Sequence, residues 1–252
     1  MPKVRPPSER AVAVARHVLA EAKVRHPEDI HMEKLAARHG AMVLYVPMST
    51  ARGAIVRAGQ SAIIHVSESA RGTPAADFTV AHEFSHHLLH TLVDHYAQCT
   101  TDAAERTDVE WGIEREANEC AAELRVPEAM AAPLCAAPRA TVESIDRLAR
   151  TFRTSFEMSA IRMVELTMAP CAVVMSEGTR VRWAIESLTF PGAIARWSAL
   201  HPESLAARLP RRPFADRERE VPGAAWKGRG PFVERAWAVG PGRVLSWIVP
   251  AE

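Results

Sequence analysis

The stretch from Thr79 to His90, TVAHEFSHHLLH, constrains the fold of this chain more than any other segment. We predict a helix over residues 79–94 that begins with Thr79 as its N-cap. The prediction rests on apolar residues that recur close to the helical period, at Val80, Phe84, Leu88, Leu89 and Val93. Residues four apart lie on one face of a helix, so His82 and His86 can both present a ring nitrogen to one point.

The segment from His82 to His86 also fits the H-E-x-x-H pattern of zinc hydrolases. In such a site the two histidines bind the metal, and Glu83 is placed to act on a water as a general base. We expect zinc as the cofactor, although nitrogen and oxygen ligands also accept manganese or iron. The alternative is a polar helix face whose histidines only contact solvent.

A catalytic zinc site needs a third protein ligand and one open position. A second helix is predicted from Ile113 to Pro127, where Glu114 and Asn118 lie four apart and share a face. We predict Glu114 as the third metal ligand. We expect Asn118 to hydrogen-bond one of the ligating histidines and so to hold its ring.

Four neighbouring residues are weaker candidates for metal ligands. His90 lies about 12 Å along the helix from His82, which is too far for both to bind one ion. Glu116 points about 200° around its helix from Glu114, so only one of the two can face the site. His87 is interpreted as a residue at the surface or supporting a ligand, and Cys120 as a small core residue.

Three motifs in order resemble the ImmA/IrrE family of zinc-dependent peptidases, and the resemblance covers residues 1 to about 130. They are F-T-x-A-H-E-x-x-H at 78–86, E-x-x-A-N at 114–118 and A-A-E-L-x-x-P at 121–127. The resemblance implies that His82, His86 and Glu114 hold the metal and that Glu83 is the catalytic base.

The chain departs from the family pattern at a few positions, none of which removes a predicted ligand or the base. Ser85 stands where glycine is usual, Phe84 where leucine is usual, and Cys120 where phenylalanine is usual. Arg125 and Val126 replace the usual apolar pair before the proline. We expect Ser85 to tighten the packing behind its helix, which bears on the reaction rate more than on the chemistry.

Composition excludes several other classes of protein. A chain of 252 residues with 48% hydrophobic content suits two small domains or one large one. Its net charge of +1 gives no general attraction to nucleic acid or to an anionic membrane. The four cysteines show no paired spacing, which is typical of reduced thiols, and neither a signal peptide nor a membrane span is predicted. We therefore expect a cytoplasmic protein.

The expected fold class is α+β. We predict a zincin-like metallopeptidase domain over residues 1–130, with a small β-sheet and the HExxH helix, then a helix-turn-helix-like segment over 138–170 and a C-terminal α+β domain over 171–252. In the first domain we predict helices at 8–24 and 31–39, strands at 41–46, 53–57 and 62–66, and a loop at 98–108. Residues 128–140, rich in proline and alanine, are predicted as a linker.

Helices predicted at 141–152 and 156–167 resemble the helix-turn-helix that follows the peptidase in this family. The second helix carries only Arg162, opposed by Glu157 and Glu165, whereas DNA binding needs several basic contacts to phosphates. The sequence therefore argues against direct DNA binding and favours packing or substrate docking.

The C-terminal region contains five of the six tryptophans and two predicted hairpins, at 171–186 and 236–249. By resemblance to IrrE-like members it is a GAF-like sensory module. Five arginines in it are interpreted as part of a solvated loop: Arg208, Arg211, Arg212, Arg217 and Arg219.

The resemblance implies a specific biological substrate, an XRE-type helix-turn-helix repressor. One cut in the repressor would release the genes under it, in a stress response or on a mobile element. Catalysis would need a second donor to the developing oxyanion, for which Tyr45, Tyr96 and His95 are candidates. Two alternatives remain open: a metal-binding transcription regulator or interaction module without peptidase activity, and a metal-dependent amidase.

Overall fold

The computed structural model describes residues 7–48, 52–90, 97–98, 108–208 and 216–251. These residues divide into two compact units, one of 7–130 with 150–155 and one of 131–149 with 156–251. Each unit has its own β-sheet, which gives the mixed α+β class that the sequence predicts. No helix within the described ranges is long and apolar enough to cross a membrane.

The first unit places helices against a mixed sheet. The helices are α1 (Glu9–Glu21), α2 (Met32–Arg38), α3 (Pro74–Leu89) and α4 (Asp108–Arg125). The strands are β1 (Ala41–Val46), β2 (Gly53–Ala58), β3 (Ser61–Ser67) and β4 (Ala97–Gln98), in the order β1-β3-β2-β4. β1 pairs with β3 in parallel, and the other pairs are antiparallel. The predicted hairpin between β2 and β3 is confirmed, with Gly59 in the turn.

The motif helix α3 begins earlier than the sequence analysis predicts. Thr73 is its N-cap and accepts a hydrogen bond from the Ala76 N–H, and Pro74 occupies the first turn, where its missing N–H costs nothing. Thr79 lies inside the helix instead, and its hydroxyl donates to the Ala75 carbonyl. The prediction of Thr79 as N-cap is therefore wrong, and residues 91–94 of the predicted helix lie outside the described residues.

Two arginines from other elements satisfy the carbonyls at the end of α3. Arg57 on β2 donates to the carbonyls of His86 and His90, and Arg10 on α1 donates to the carbonyl of Leu89. The last carbonyls of a helix have no partner within it and carry partial negative charge, so a guanidinium there is favourable. The sheet and α1 thereby fix the end of the motif helix.

α3 packs against α4 through small, fully buried side chains of α4, Ala117, Cys120 and Ala121. Ser85 on α3 is also fully buried; its hydroxyl donates to the Ala81 carbonyl and hydrogen-bonds the Cys120 thiol. The interpretation of Cys120 as a core residue is confirmed, and burial raises the pKa of its thiol to about 11.

A buried arginine at the end of α4 forms an ion pair with α3. Arg125, with 2% of its side chain exposed, pairs with Asp77 on α3 at 3.2 Å. It also donates to the carbonyls of Phe152 and Arg153 in the same unit, at 3.2 and 3.1 Å. The polar residue that replaces an apolar one in the family pattern is thus part of a hydrogen-bonded network.

The predicted linker over residues 128–140 is wrong for its first half, which forms helix α5 (Glu128–Cys135). Pro133 lies inside this helix and removes one backbone donor, but Ala131 and Cys135 are buried, and this burial offsets the loss. Helices α6 (Val142–Phe152) and α7 (Phe156–Leu166) follow where the sequence predicts them. Their helix-turn-helix character remains a prediction.

The second unit is built on an antiparallel sheet. Its strands are β5 (Ala172–Glu177), β6 (Arg180–Glu186), β7 (Asp216–Val221), β8 (Phe232–Gly240) and β9 (Arg243–Pro250), in the order β6-β5-β9-β8-β7, with a short helix α8 (Leu205–Arg208). Both predicted hairpins are confirmed. Three of the five arginines predicted in a solvated loop are exposed as expected but lie on regular elements, so the loop prediction is wrong for them: Arg208 on α8, and Arg217 and Arg219 on the edge strand β7. Arg211 and Arg212 lie outside the described residues.

The core of the second unit includes Trp226 and Trp247, which are 2% and 3% exposed, whereas Trp197 is 43% exposed.

A buried carboxylate, Glu234, organises this core. It accepts hydrogen bonds from the Ser246 hydroxyl, the Trp226 indole and two backbone N–H groups at the start of α8, at 2.7 to 2.9 Å. Burial raises the pKa of Glu234, although these hydrogen bonds act in the opposite direction. The GAF-like assignment of this unit remains a prediction.

We expect Glu234→Gln to destabilise the second unit by about 2–4 kcal/mol, because the amide NH2 would face buried donors and leave them unsatisfied. Denaturant unfolding followed by tryptophan fluorescence measures this change. Glu218→Gln, at an exposed position on β7, is the matched control and should change stability by less than about 0.5 kcal/mol. Equal stabilities of the two variants would contradict the role given to Glu234.

Candidate metal centre

Three side chains from α3 and α4 converge on one point. The Nε2 atoms of His82 and His86 lie 3.1 Å apart. The carboxylate of Glu114 lies 3.4 Å from His82 Nε2 and 3.5 Å from His86 Nε2. Within the described ranges, these residues form the group of histidine, cysteine and acidic side chains that could hold a metal ion. The structure therefore brings together the three residues predicted as ligands.

The spacing of these atoms fits a tetrahedral metal ion. Ligands about 2.0–2.1 Å from zinc stand about 3.3–3.4 Å from one another, and the three separations here are 3.1, 3.4 and 3.5 Å. Two imidazole nitrogens and a carboxylate oxygen are a donor set that zinc accepts, with one position left for a further ligand. Both histidines are buried, so packing holds them in this arrangement.

The electrostatics of the cluster favour a bound cation. Burial, followed by the neighbouring His82, lowers the pKa of His86 to about 3, so its imidazole is neutral near pH 7. Burial acts in the same direction on His82, but its hydrogen bond to Glu114 and the charges of Glu83 and Glu114 outweigh it and raise the pKa of His82. The point where the ring nitrogens meet thus lies beside two carboxylates, which attract positive charge.

Asn118 contacts one of the two histidines that are predicted to bind the metal, as the sequence analysis expects, and the structure identifies it as His82. The Oδ1 atom of Asn118 lies 3.0 Å from His82 Nδ1. An Nδ1–H that donates to this amide oxygen leaves the lone pair of Nε2 directed toward Glu114 and His86. Such a contact fixes both the tautomer and the orientation of a metal-binding histidine.

Glu83 is fully buried and lies against the backbone of β2 at Gly53. A Cβ atom at Gly53 would stand 2.4 Å from Thr79 Cγ2 and 2.9 Å from Glu83 Oε1. Any side chain at position 53 would therefore displace Glu83 or Thr79. Sequence reasoning missed Gly53, and the available signal was a glycine at the start of a predicted strand, which often marks a close backbone approach.

Other residues considered from sequence have different environments. His87 is buried rather than at the surface, and its Nε2 bonds the His39 carbonyl at 2.9 Å. Tyr45 donates to Glu33 at 2.8 Å, and burial together with this carboxylate raises the pKa of Tyr45 to about 12. The other two candidates for an oxyanion donor, Tyr96 and His95, lie outside the described residues.

Comparison with known proteins gives a sequence family and a similar fold. The sequence model of the IrrE N-terminal-like domain, peptidase family M78, matches residues 36–164. No curated protein matches the sequence significantly. A solved structure described as a Mycobacterium tuberculosis transcriptional regulator is similar with a TM-score of 0.67 at 14% identity, over 97% of this chain and 77% of that chain, which shows a shared fold. Because the family model covers half of its length, the chain belongs to the IrrE N-terminal-like family of M78 peptidases.

Proposed function

We propose that this protein is a zinc-dependent endopeptidase in which His82, His86 and Glu114 hold the metal and Glu83 is the general base. The observation that carries the proposal is the convergence of three ligand atoms within 3.1 to 3.5 Å, beside a buried carboxylate. A structural zinc site prefers four protein ligands and needs no base, so the presence of Glu83 favours catalysis. Membership of a peptidase family supports the same reaction class.

The side chains of this site have distinct tasks in peptide hydrolysis. A metal held by the three ligands would acidify a water molecule and polarise the scissile carbonyl. Glu83 would accept a proton from the attacking water on a carboxylate oxygen and pass it to the leaving amine. Gly53 leaves room for this carboxylate, and Asn118 keeps the His82 ring in the orientation that the site needs.

We propose an XRE-type helix-turn-helix repressor as the substrate, cut once to derepress genes in a stress response or on a mobile element. Such a substrate places the enzyme in the cytoplasm. A second folded unit with its own core, which we propose to be a GAF-like sensor, suits a regulated cut in one partner better than general digestion. The similar solved structure is described as a transcriptional regulator, and control of transcription is the same biological context.

A metal-binding transcription regulator without peptidase activity is the second candidate, and the similar fold of a transcriptional regulator favours it. The side chains of α7 speak against direct DNA contact. Arg162, the basic residue of this helix, is buried and donates to Glu165 at 3.1 Å. A buried and paired arginine is poorly placed to contact a phosphate.

The metal site predicts a defined stoichiometry. Wild-type protein loaded with zinc and then desalted should hold about one metal ion per chain, measured by elemental analysis. Glu114→Ala should lose the metal because it removes one of three ligands, whereas Glu83→Gln should keep it. Glu68→Gln, at an exposed position of the same unit, is the matched control and should bind as the wild type does. Wild-type protein that holds no metal after supplementation would contradict the site.

The role of Glu83 predicts a loss of rate without a loss of metal. With a candidate XRE-type repressor, wild-type protein should yield two fragments from one cut, identified by intact mass. Glu83→Gln should slow this cut by about 10²–10⁴-fold, the usual contribution of a general base. If the metal-loaded wild type cuts no repressor but retards promoter DNA in a salt-dependent manner, the regulator hypothesis is correct instead.

The close approach of Gly53 predicts a selective effect of one methyl group. Gly53→Ala should retain the metal and lower the rate of cleavage, because the added Cβ would push on Glu83 Oε1. Gly112→Ala is the control: this glycine is exposed on α4 with open space around its Cβ position, so the variant should be about 0.5–1 kcal/mol more stable at unchanged rate. Unchanged rates in both variants would argue against a tight fit at Gly53.

A further inference from the structure

We infer that His90 and Glu116 form a positioning chain behind the metal ligand His86, which fixes the orientation of its ring and the nitrogen that carries its proton. The inference rests on the proposed metal site and adds to it two residues that do not touch the metal. The chain runs from His86 through His90 to Glu116 and ends at Ser8 and Arg10 of the α1 region.

The contacts of the chain are within hydrogen-bond distance, and the histidine at its centre is buried. His90 lies one helical turn after His86, and their Nδ1 atoms are 3.1 Å apart. On the other side of its ring, His90 Nε2 lies 3.3 Å from Glu116 Oε2. The His90 side chain is 7% exposed, and that of Glu116 is 25% exposed. Each nitrogen of the His90 ring therefore has one partner.

The hydrogen positions along the chain follow from the demand of the metal site. If His86 presents the Nε2 lone pair to a metal, its proton must sit on Nδ1. This Nδ1–H then donates to His90 Nδ1, and His90 carries its own proton on Nε2 and donates it to Glu116. Two neutral imidazoles and one carboxylate make both hydrogen bonds in this way, and each hydrogen bond contains one proton. The reverse arrangement would place a proton on His86 Nε2 and block the metal.

The far end of the chain is anchored in another element. Ser8 donates its hydroxyl to Glu116 Oε1 at 2.9 Å, and Arg10 lies 3.9 Å from Oε2. Ser8 is also the N-cap of α1 and accepts from the Ala11 N–H. Consequently, Ser8 and Arg10 position the carboxylate of Glu116. This carboxylate positions the His90 ring, which in turn positions the ring of His86. The two ligating histidines are supported differently, His82 by one amide and His86 by this longer chain.

The test compares two buried histidines of the same helix. His90 and His87 are each 8% exposed, and only His90 contacts a ligand, so His87→Leu is the matched control for His90→Leu. Metal affinity is measured by competition with a chelator, and ligand geometry by the visible spectrum of the cobalt-loaded protein. His90→Leu should weaken metal binding about 10–100-fold and alter the cobalt spectrum. His87→Leu should leave both unchanged.

Two further variants separate positioning from general structural support. His90→Gln keeps an acceptor for the His86 Nδ1–H and should recover part of the lost affinity. Glu116→Ala, at a partly exposed position, should weaken metal binding in the same direction even if His90→Leu fails to fold. Thermal unfolding without metal is recorded for each variant, so that a loss of stability is distinguished from a loss of affinity.

The outcomes distinguish this inference from the proposed function. Weaker binding in His90→Leu and Glu116→Ala, with recovery in His90→Gln and no change in His87→Leu, supports the chain. If the His90 and Glu116 variants fold and show the metal affinity and cobalt spectrum of the wild type, the positioning chain is overturned, whereas the proposed metal site is not. An equal loss in His87→Leu overturns it in favour of general packing. Wild-type protein that binds no metal overturns the proposed function, and the chain with it.

Discussion

The packing of α3 against α4 is the constraint on which the proposed site depends, because two of the proposed ligands lie on one helix and the third lies on the other. A metal tolerates errors of a few tenths of an ångström in ligand position, so the two helix axes must be held in register. Small buried side chains on α4 allow the close approach, and the pair of Arg125 and Asp77 closes one end of the interface. Arg57 and Arg10 fix the end of α3 from the sheet and from α1.

The packing between α3 and α4 explains how the chain accommodates its departures from the family pattern. Ser85 is larger than the usual glycine and Cys120 is smaller than the usual phenylalanine, and the two side chains meet. The larger side chain on α3 thus meets a smaller one on α4, which a close-packed core tolerates better than an enlargement alone. Arg125 is tolerated in a buried position because Asp77 balances its charge and two carbonyls accept its hydrogen bonds.

The sequence predicts the part of the site that depends on the helical period alone. The shared faces of His82 with His86, and of Glu114 with Asn118, follow from spacing, and the structure brings all four side chains together. The close approach of Gly53 to Glu83 and the contact of Glu116 with His90 were not predicted, because both depend on which elements pack against each other. The start of α3 was misplaced because Thr73 and Thr79 are both acceptable N-caps, and the proline that distinguishes them lies one residue after Thr73.

The contacts around the proposed site give a physical reason why so short a motif would suffice to bind a metal. In a flexible peptide, His82 and His86 would sample many rotamers, and protons would compete with any metal for the imidazole nitrogens. In the folded unit, Asn118 and His90 each contact the Nδ1 atom of one ligating ring. The Nε2 atoms are left 3.1 Å apart beside the Glu114 carboxylate. A cation at this point would offset the repulsion between the lone pairs of these atoms. The side chains are thus ordered during folding, so a metal bound at the proposed site would not have to order them, and its affinity would be higher for that reason.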